Sequence, residues 1–145
     1  MKTIFIMLLI IASVVSVQAQ NWLTDFDKAK AVAKAEDKPI VLVFQGSDWC
    51  APCIKLEKEI WSSAEFKEYS KTHFVLLKAD FPRRKKNSLS DSQAQHNAQL
   101  AETYNKRGLF PFVAMLDAEG NVLGETGYKK ISPKEYISLL ESFNH

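Results

Sequence analysis

Two cysteines, Cys50 and Cys53, stand three positions apart in a chain of 145 residues and are its whole complement of thiols. Two cysteines placed at random in such a chain would fall three apart only about one time in seventy, so the spacing needs a chemical reason. A bridge this short closes a tiny loop and removes little entropy from the unfolded chain, which makes it a poor staple. The same spacing suits thiol–disulfide exchange, in which one thiolate attacks a sulfur of another disulfide and a second thiol then releases the product. At the amino end of a helix, unpaired N–H groups and the macrodipole favour the thiolate form. Cys50 belongs there as a solvent-accessible nucleophile, with Cys53 one turn further in as the resolving thiol. Ala51-Pro52 holds the turn between them, since proline is tolerated in the first turn of a helix, where its missing N–H costs nothing.

The flanking sequence supplies elements to position such a pair. Ile40-Val41-Leu42-Val43-Phe44 is a short β-branched and aromatic run that reads as a strand buried on both faces. Gly46, Ser47 and Asp48 then turn the chain, and Leu56, Ile60 and Trp61 give the following helix an apolar face. Upstream, Thr24 with Asp27 marks a helix start, and Phe26, Ala29, Val32 and Ala33 recur at helical spacing until Pro39. Downstream, Ser62 with Glu65 caps a short helix with Phe66 and Tyr69 inward, and Phe74 to Leu77 forms the next strand. Residues 81 to 91 form a loop carrying the basic run Arg83-Arg84-Lys85-Lys86, which reads as a solvated surface. Ser90 with Gln93 starts a helix whose inward face is Ala94, Ala98, Ala101 and Tyr104. Phe112 to Leu116 and Val122 to Glu125 form a hairpin around Asp117-Ala118-Glu119-Gly120-Asn121. Ser132, Pro133 and Glu135 start a last helix with Tyr136, Leu139, Leu140 and Phe143 in one stripe. This order predicts an α/β fold with a mixed central sheet of about four strands, an antiparallel C-terminal hairpin and helices on both faces.

Trp49-Cys50-Ala51-Pro52-Cys53, after a buried strand and before a helix, resembles the active site of the thioredoxin superfamily, and Gly108-Leu109-Phe110-Pro111-Phe112 resembles the segment that holds its cis-proline. The likeness spans the chain from about Asn21 onward. Within the superfamily it is similar to exported thioredoxin-like proteins and to the C-terminal periplasmic domain of the DsbD electron transporter. That resemblance implies a cis Pro111 facing the thiols, with Phe110 offering its backbone to an extended substrate and Trp49 as a partly exposed flank. It also implies Glu57, four residues after Cys53, as a candidate proton acceptor; the i, i+4 spacing equally suits a surface glutamate paired with a lysine. Thioredoxin carries a buried aspartate six residues before its first cysteine, and here that position is Phe44, so the usual buried relay is missing.

Lys2, the apolar run Ile4 to Val17 and the small Ala19 read as a cleavable export signal over residues 1–19, leaving one thioredoxin-like domain over 20–145. An uncleaved anchor is the alternative, but about fourteen apolar residues fall short of the roughly twenty a spanning helix needs. The expected location is periplasmic or secreted. With 19 basic against 17 acidic residues, the charge gives no reason to propose nucleic acid as a partner. His73, His96 and His145 lack metal-ligand spacing, and no G-x-S-x-G nucleophile is present, so neither a metal centre nor hydrolase chemistry is indicated. The expected cofactor is the protein's own Cys50–Cys53 couple, with no organic group or metal. The expected protein is a monomeric thiol:disulfide oxidoreductase. A Pro before the second cysteine resembles reductase-type sites, so protein disulfides are the expected substrates and a membrane-embedded or periplasmic donor the source of electrons. The rival from another class is a non-catalytic thioredoxin-like binding module with a static disulfide.

Overall fold

The structure is a computed structural model, and it describes residues 20–145. The expected export signal, residues 1–19, lies outside the described residues. Among the described residues no helix is long and apolar enough to cross a membrane.

The elements run β1 (Trp22–Leu23), α1 (Phe26–Glu36), β2 (Ile40–Gln45), α2 (Ala51–Leu56), α3 (Ala64–His73), β3 (Val75–Asp80), α4 (Asp91–Tyr104), β4 (Phe112–Leu116), β5 (Val122–Thr126) and α5 (Pro133–Glu141). A wider π-helical turn, Glu57–Trp61, prolongs α2, and a short 3₁₀ turn, Lys85–Asn87, interrupts the basic loop. The sheet order is β1-β3-β2-β4-β5, with β1, β3 and β2 mutually parallel and β4 antiparallel to both of its neighbours, β2 and β5. The fold is therefore the expected mixed α/β arrangement, with a fifth, two-residue strand added at the edge.

Both faces of β2 are covered, which is why its sequence is a continuous apolar run instead of an alternation. Ile40, Leu42 and Phe44 join the core beneath α1 and α4 with Ala29, Ala33, Leu77 and Leu100. Val41 and Val43 join the opposite core with Leu56, Ile60, Trp61, Phe66, Tyr136 and Leu140. Being central, β2 is flanked by β3 from Ile40↔Val75 to Gln45↔Asp80 and by β4 from Ile40↔Leu116 to Phe44↔Phe112. The turn that follows it starts from a strand paired on both edges and buried along its whole length.

Several local expectations are corrected. Asp25, not Thr24, caps α1, its carboxylate accepting the N–H of Lys28 at 2.9 Å, and α1 ends at Asp37 in a left-handed conformation (φ 53°) before Pro39 is reached. Ser63, not Ser62, caps α3 through the N–H of Phe66. The inward face of α4 carries Asn97 and Leu100 beside the half-buried Ala101 and Tyr104, whereas Ala94 and Ala98 are exposed. Asn97 is tolerated inside because its amide donates to the carbonyl of Asp80 at 3.0 Å and its oxygen accepts from Gln93 at 2.8 Å. The start of α5 is as expected: Ser132 and Glu135 exchange both hydrogen bonds of a capping box, with Pro133 at the first helical position.

Candidate redox site

The turn after β2 is tied down at three points. The N–H groups of Trp49 and Cys50 both donate to the carbonyl of Gly46, at 3.3 and 2.9 Å. Ser47 donates its N–H and hydroxyl to the two oxygens of Asp80, at 3.0 and 2.6 Å, which binds the turn to the end of β3. The indole of Trp49 donates to the carbonyl of Phe81 at 2.7 Å. Gly46 is required by packing: a Cβ there would fall on the indole of Trp49.

Cys50 is the N-cap of α2, with Ala51 and Pro52 in the exposed first turn. Its sulfur accepts the N–H of Cys53 at 3.3 Å, and the two residues are disulfide-bonded with Cα atoms 5.2 Å apart. A backbone donor aimed at Cys50 Sγ stabilises negative charge on that atom once the bridge is opened. Cys50 is 4% exposed and so is Cys53, which is less open than the expected solvent-accessible nucleophile. Little of the oxidised pair is therefore at the surface.

The Phe110–Pro111 peptide bond is cis, and Pro111 is buried. The rings of Phe110 and Trp49 meet edge to face at 5.4 Å, so this segment lies against the turn that carries Cys50. Asn105, 5% exposed, holds the approach to it: its amide donates to the carbonyl of Leu109 at 2.8 Å and its oxygen accepts the N–H of Leu109 at 3.0 Å. Neither the N–H nor the C=O of Phe110 has a hydrogen-bond partner among the described residues.

Glu57 stands one turn beyond Cys53, its N–H donating to the carbonyl of Cys53. One carboxylate oxygen lies 3.7 Å from the ammonium of Lys78 and is buried without a hydrogen-bond partner; the other accepts from the Ser62 hydroxyl at 3.5 Å. Lys78 in turn lies over the ring of Trp22 at 4.5 Å. At the position where thioredoxin has its carboxylate, Phe44 is fully buried against Phe81 and Phe112. The described residues include no group of three or more His, Cys, Asp or Glu side chains that could hold a metal ion. His96 instead accepts the N–H of Phe26 at 3.1 Å, and His73 stacks on Tyr69.

Sequence reasoning read Asp48 only as a turn residue and passed over Asp80, Asn105 and Lys78; Asp48, Asp80 and Lys78 act on residues far along the chain, which no local pattern marks, whereas Asn105 acts four residues on, at Leu109. Asp48 is the plainest case. Its carboxylate accepts the N–H groups of Arg83 and Arg84 and the amide of Asn87, each at 2.9 Å. The Arg83 bond, then that of Asn87, holds its pKa down at about 2, from an ordinary 3.8. Since the folded value is depressed, the tether is at full strength above the unfolded pKa and is lost as pH falls through about 2. The Arg83 and Arg84 amide resonances should therefore hold steady from pH 7 to pH 4 and move only on further acidification. A midpoint near pH 4 in an NMR titration would contradict this.

A family model described as thioredoxin-like matches residues 21–118. A disulfide bond reductase of Chlamydia pneumoniae, DsbH, is 38% identical over 110 residues, which cover 76% of this chain and 64% of that one. The chain thus spans just under two thirds of that relative's length. A solved structure of a DsbH oxidoreductase superposes with a TM-score of 0.80 at 34% identity, covering 87% of this chain and 85% of the other. The oxidised C-terminal domain of DsbD from Neisseria meningitidis shares the fold with a TM-score of 0.52 at 21% identity, over 79% of this chain and 89% of its own.

Proposed function

Because the chain belongs to the thioredoxin-like family, we propose that it is a periplasmic thiol:disulfide oxidoreductase that works as a reductase on protein disulfides. The observation that carries the proposal is the capping contact: Cys50 Sγ receives the N–H of Cys53 at the start of α2 while paired with Cys53 itself. The reductase direction is supported by the likeness to the disulfide bond reductase DsbH and by Pro52 before the second cysteine.

In the reduced protein the Cys50 thiolate attacks one sulfur of the substrate disulfide. That S–S bond breaks, the departing substrate sulfur takes up a proton, and a mixed disulfide joins Cys50 to the substrate. Cys53, once deprotonated, attacks Cys50 Sγ and expels the second substrate thiol. Two electrons have then passed to the substrate, and the Cys50–Cys53 disulfide described here is the product state. A donor must reduce it again, and a membrane-embedded or periplasmic dithiol is the class that fits. The slight exposure of the pair favours partners that press an extended segment against this face, where the unpaired backbone groups of Phe110 can bind it as an added strand.

With Phe44 apolar, Glu57 takes the proton from Cys53, and Lys78 holds its carboxylate near the helix face. Glu57→Gln is expected to slow reduction of a disulfide substrate severalfold or more above pH 6 and to change the shape of the rate–pH profile. An unchanged profile would remove Glu57 from the pathway.

The whole proposal is tested by the couple itself. A reversible dithiol/disulfide equilibrium between about −270 and −120 mV, with insulin reduction abolished in Cys50→Ala, is the expected result. An inert bridge below about −300 mV would instead make the protein a binding module with a static disulfide.

A further inference from the structure

The basic run Arg83 to Lys86 reads in sequence as a solvated loop, and all four side chains are indeed exposed. They are nevertheless not free to wander. The three hydrogen bonds to Asp48 and the 3₁₀ turn Lys85–Asn87 fix the run against the turn that leads into Cys50. The guanidinium of Arg83 lies over the indole of Trp49, 3.6 Å from its centroid, immediately before the first cysteine. None of the four cations makes an ion pair among the described residues. Asp48 and Asp80, the carboxylates bound to this segment and its turn, are engaged by the backbone, by Asn87 and by Ser47. Two negative charges set against four positive leave a local excess on a chain that is otherwise close to balanced.

Beside this charge is an open groove lined by Trp49, Phe81, Pro82, Arg83, Gly108 and Phe110. Its three rings pack edge to face, with Phe110 5.4 Å from both Trp49 and Phe81. The exposed Leu109, 42% accessible, extends its apolar character just before Phe110. One wall is therefore aromatic and the rim is cationic, and both are built around the cysteine-bearing turn.

We propose that residues 81–86 form a selectivity subsite that favours protein disulfides in acidic segments, seating an apolar residue near the partner's cysteine on Trp49, Phe81 and Phe110 while carboxylates nearby meet Arg83–Lys86. This rests on the reductase reading and adds the substrate class to it. Charge complementarity raises the encounter rate and orients the partner, so its signature is kinetic and sensitive to salt.

The test uses one extended peptide in three versions, its single cysteine flanked by Glu, Gln or Lys, each carried as a mixed disulfide with thionitrobenzoate. Single-turnover rates with the reduced protein are divided by the rates of the same peptides with a small neutral thiol. At low ionic strength the Glu peptide should react about tenfold faster than the Lys peptide, with Gln between them. The ratio should fall to about twofold or less in high salt and in the combined variant Arg84→Ser, Lys85→Ser and Lys86→Ser, which leaves the groove-lining Arg83 in place and should keep the wild-type rate on the Gln peptide. Equal rates for Glu and Lys, or a preference that survives in the variant, would overturn the proposal. Binding of the same peptides with Ser in place of Cys, read from the Trp49 indole N–H resonance, tests the subsite without any exchange chemistry. Should the Gln peptide not be reduced at all while the Glu peptide still binds more tightly than the Lys peptide, the reductase reading fails and the subsite stands. Binding of phosphatidylglycerol vesicles through the four cations, with no discrimination among the peptides, would assign the loop to a membrane surface and overturn it.

Discussion

Cys53→Ala is expected to accumulate a stable covalent adduct with a disulfide substrate, joined through Cys50, while Cys50→Ala reduces substrate no faster than the uncatalysed background. The asymmetry follows from the capping geometry. Only Cys50 stands at the tip of α2 with the N–H of Cys53 directed at its sulfur; Cys53 begins the buried face of the helix. Removing the inner thiol leaves the first attack intact and deletes the group that resolves it, so the intermediate has no fast exit. Removing the outer thiol deletes the first step. Mass spectrometry of the trapped species should show one substrate chain bound at Cys50, and this adduct also identifies the physiological partner. Comparable trapping by either single variant would mean that the two sulfurs are interchangeable and that the helix end confers no preference.

The second large effect is on stability. Trp61→Ala should lower the unfolding free energy by about 3–5 kcal/mol, the cost typical of deleting a buried tryptophan. Trp61 is 1% exposed and closes the π-helical turn after α2. Its ring meets Phe66 at 4.7 Å, Tyr136 at 5.4 Å and Trp22 at 5.7 Å, so one side chain links the cysteine-bearing helix to α3, α5 and the edge strand β1. Urea unfolding should show the midpoint falling with little change in slope. The folded fraction should retain thiol exchange, because the turn carrying Cys50 is held by Gly46, Asp80 and Phe81 at the other end of the helix. A loss under about 1 kcal/mol would mean that the π turn repacks around the gap.

The elements whose signals are short-range are legible in the sequence. The capping box of Ser132 and Glu135, the all-apolar run of β2 and the hairpin β4–β5 each carry their own local chemistry, and each forms where that chemistry puts it. The edge strand β1 is not legible, since two residues are too few for any periodicity; it exists because Trp22 and Leu23 find Leu76 and Leu77 alongside. The face of α4 is misread for a related reason. Its alanines recur at helical spacing, yet the buried side is set by Asn97, whose polarity argues for solvent until the Asp80 carbonyl is placed beside it.

The same division holds at the site. Composition and spacing alone determine that the protein has one pair of thiols, three residues apart, at a helix start behind a buried strand, and hence what reaction the pair can perform. The tertiary structure decides what surrounds it: Phe110 against Trp49, Glu57 beside Lys78, and the cations of residues 83–86 pinned by Asp48. Cys50 and Cys53 lie within one helical turn, so local backbone geometry suffices to relate them. The groove, the ion pair and the basic rim join residues that lie from about twenty to sixty positions apart along the chain, and only the packing of the sheet brings those together.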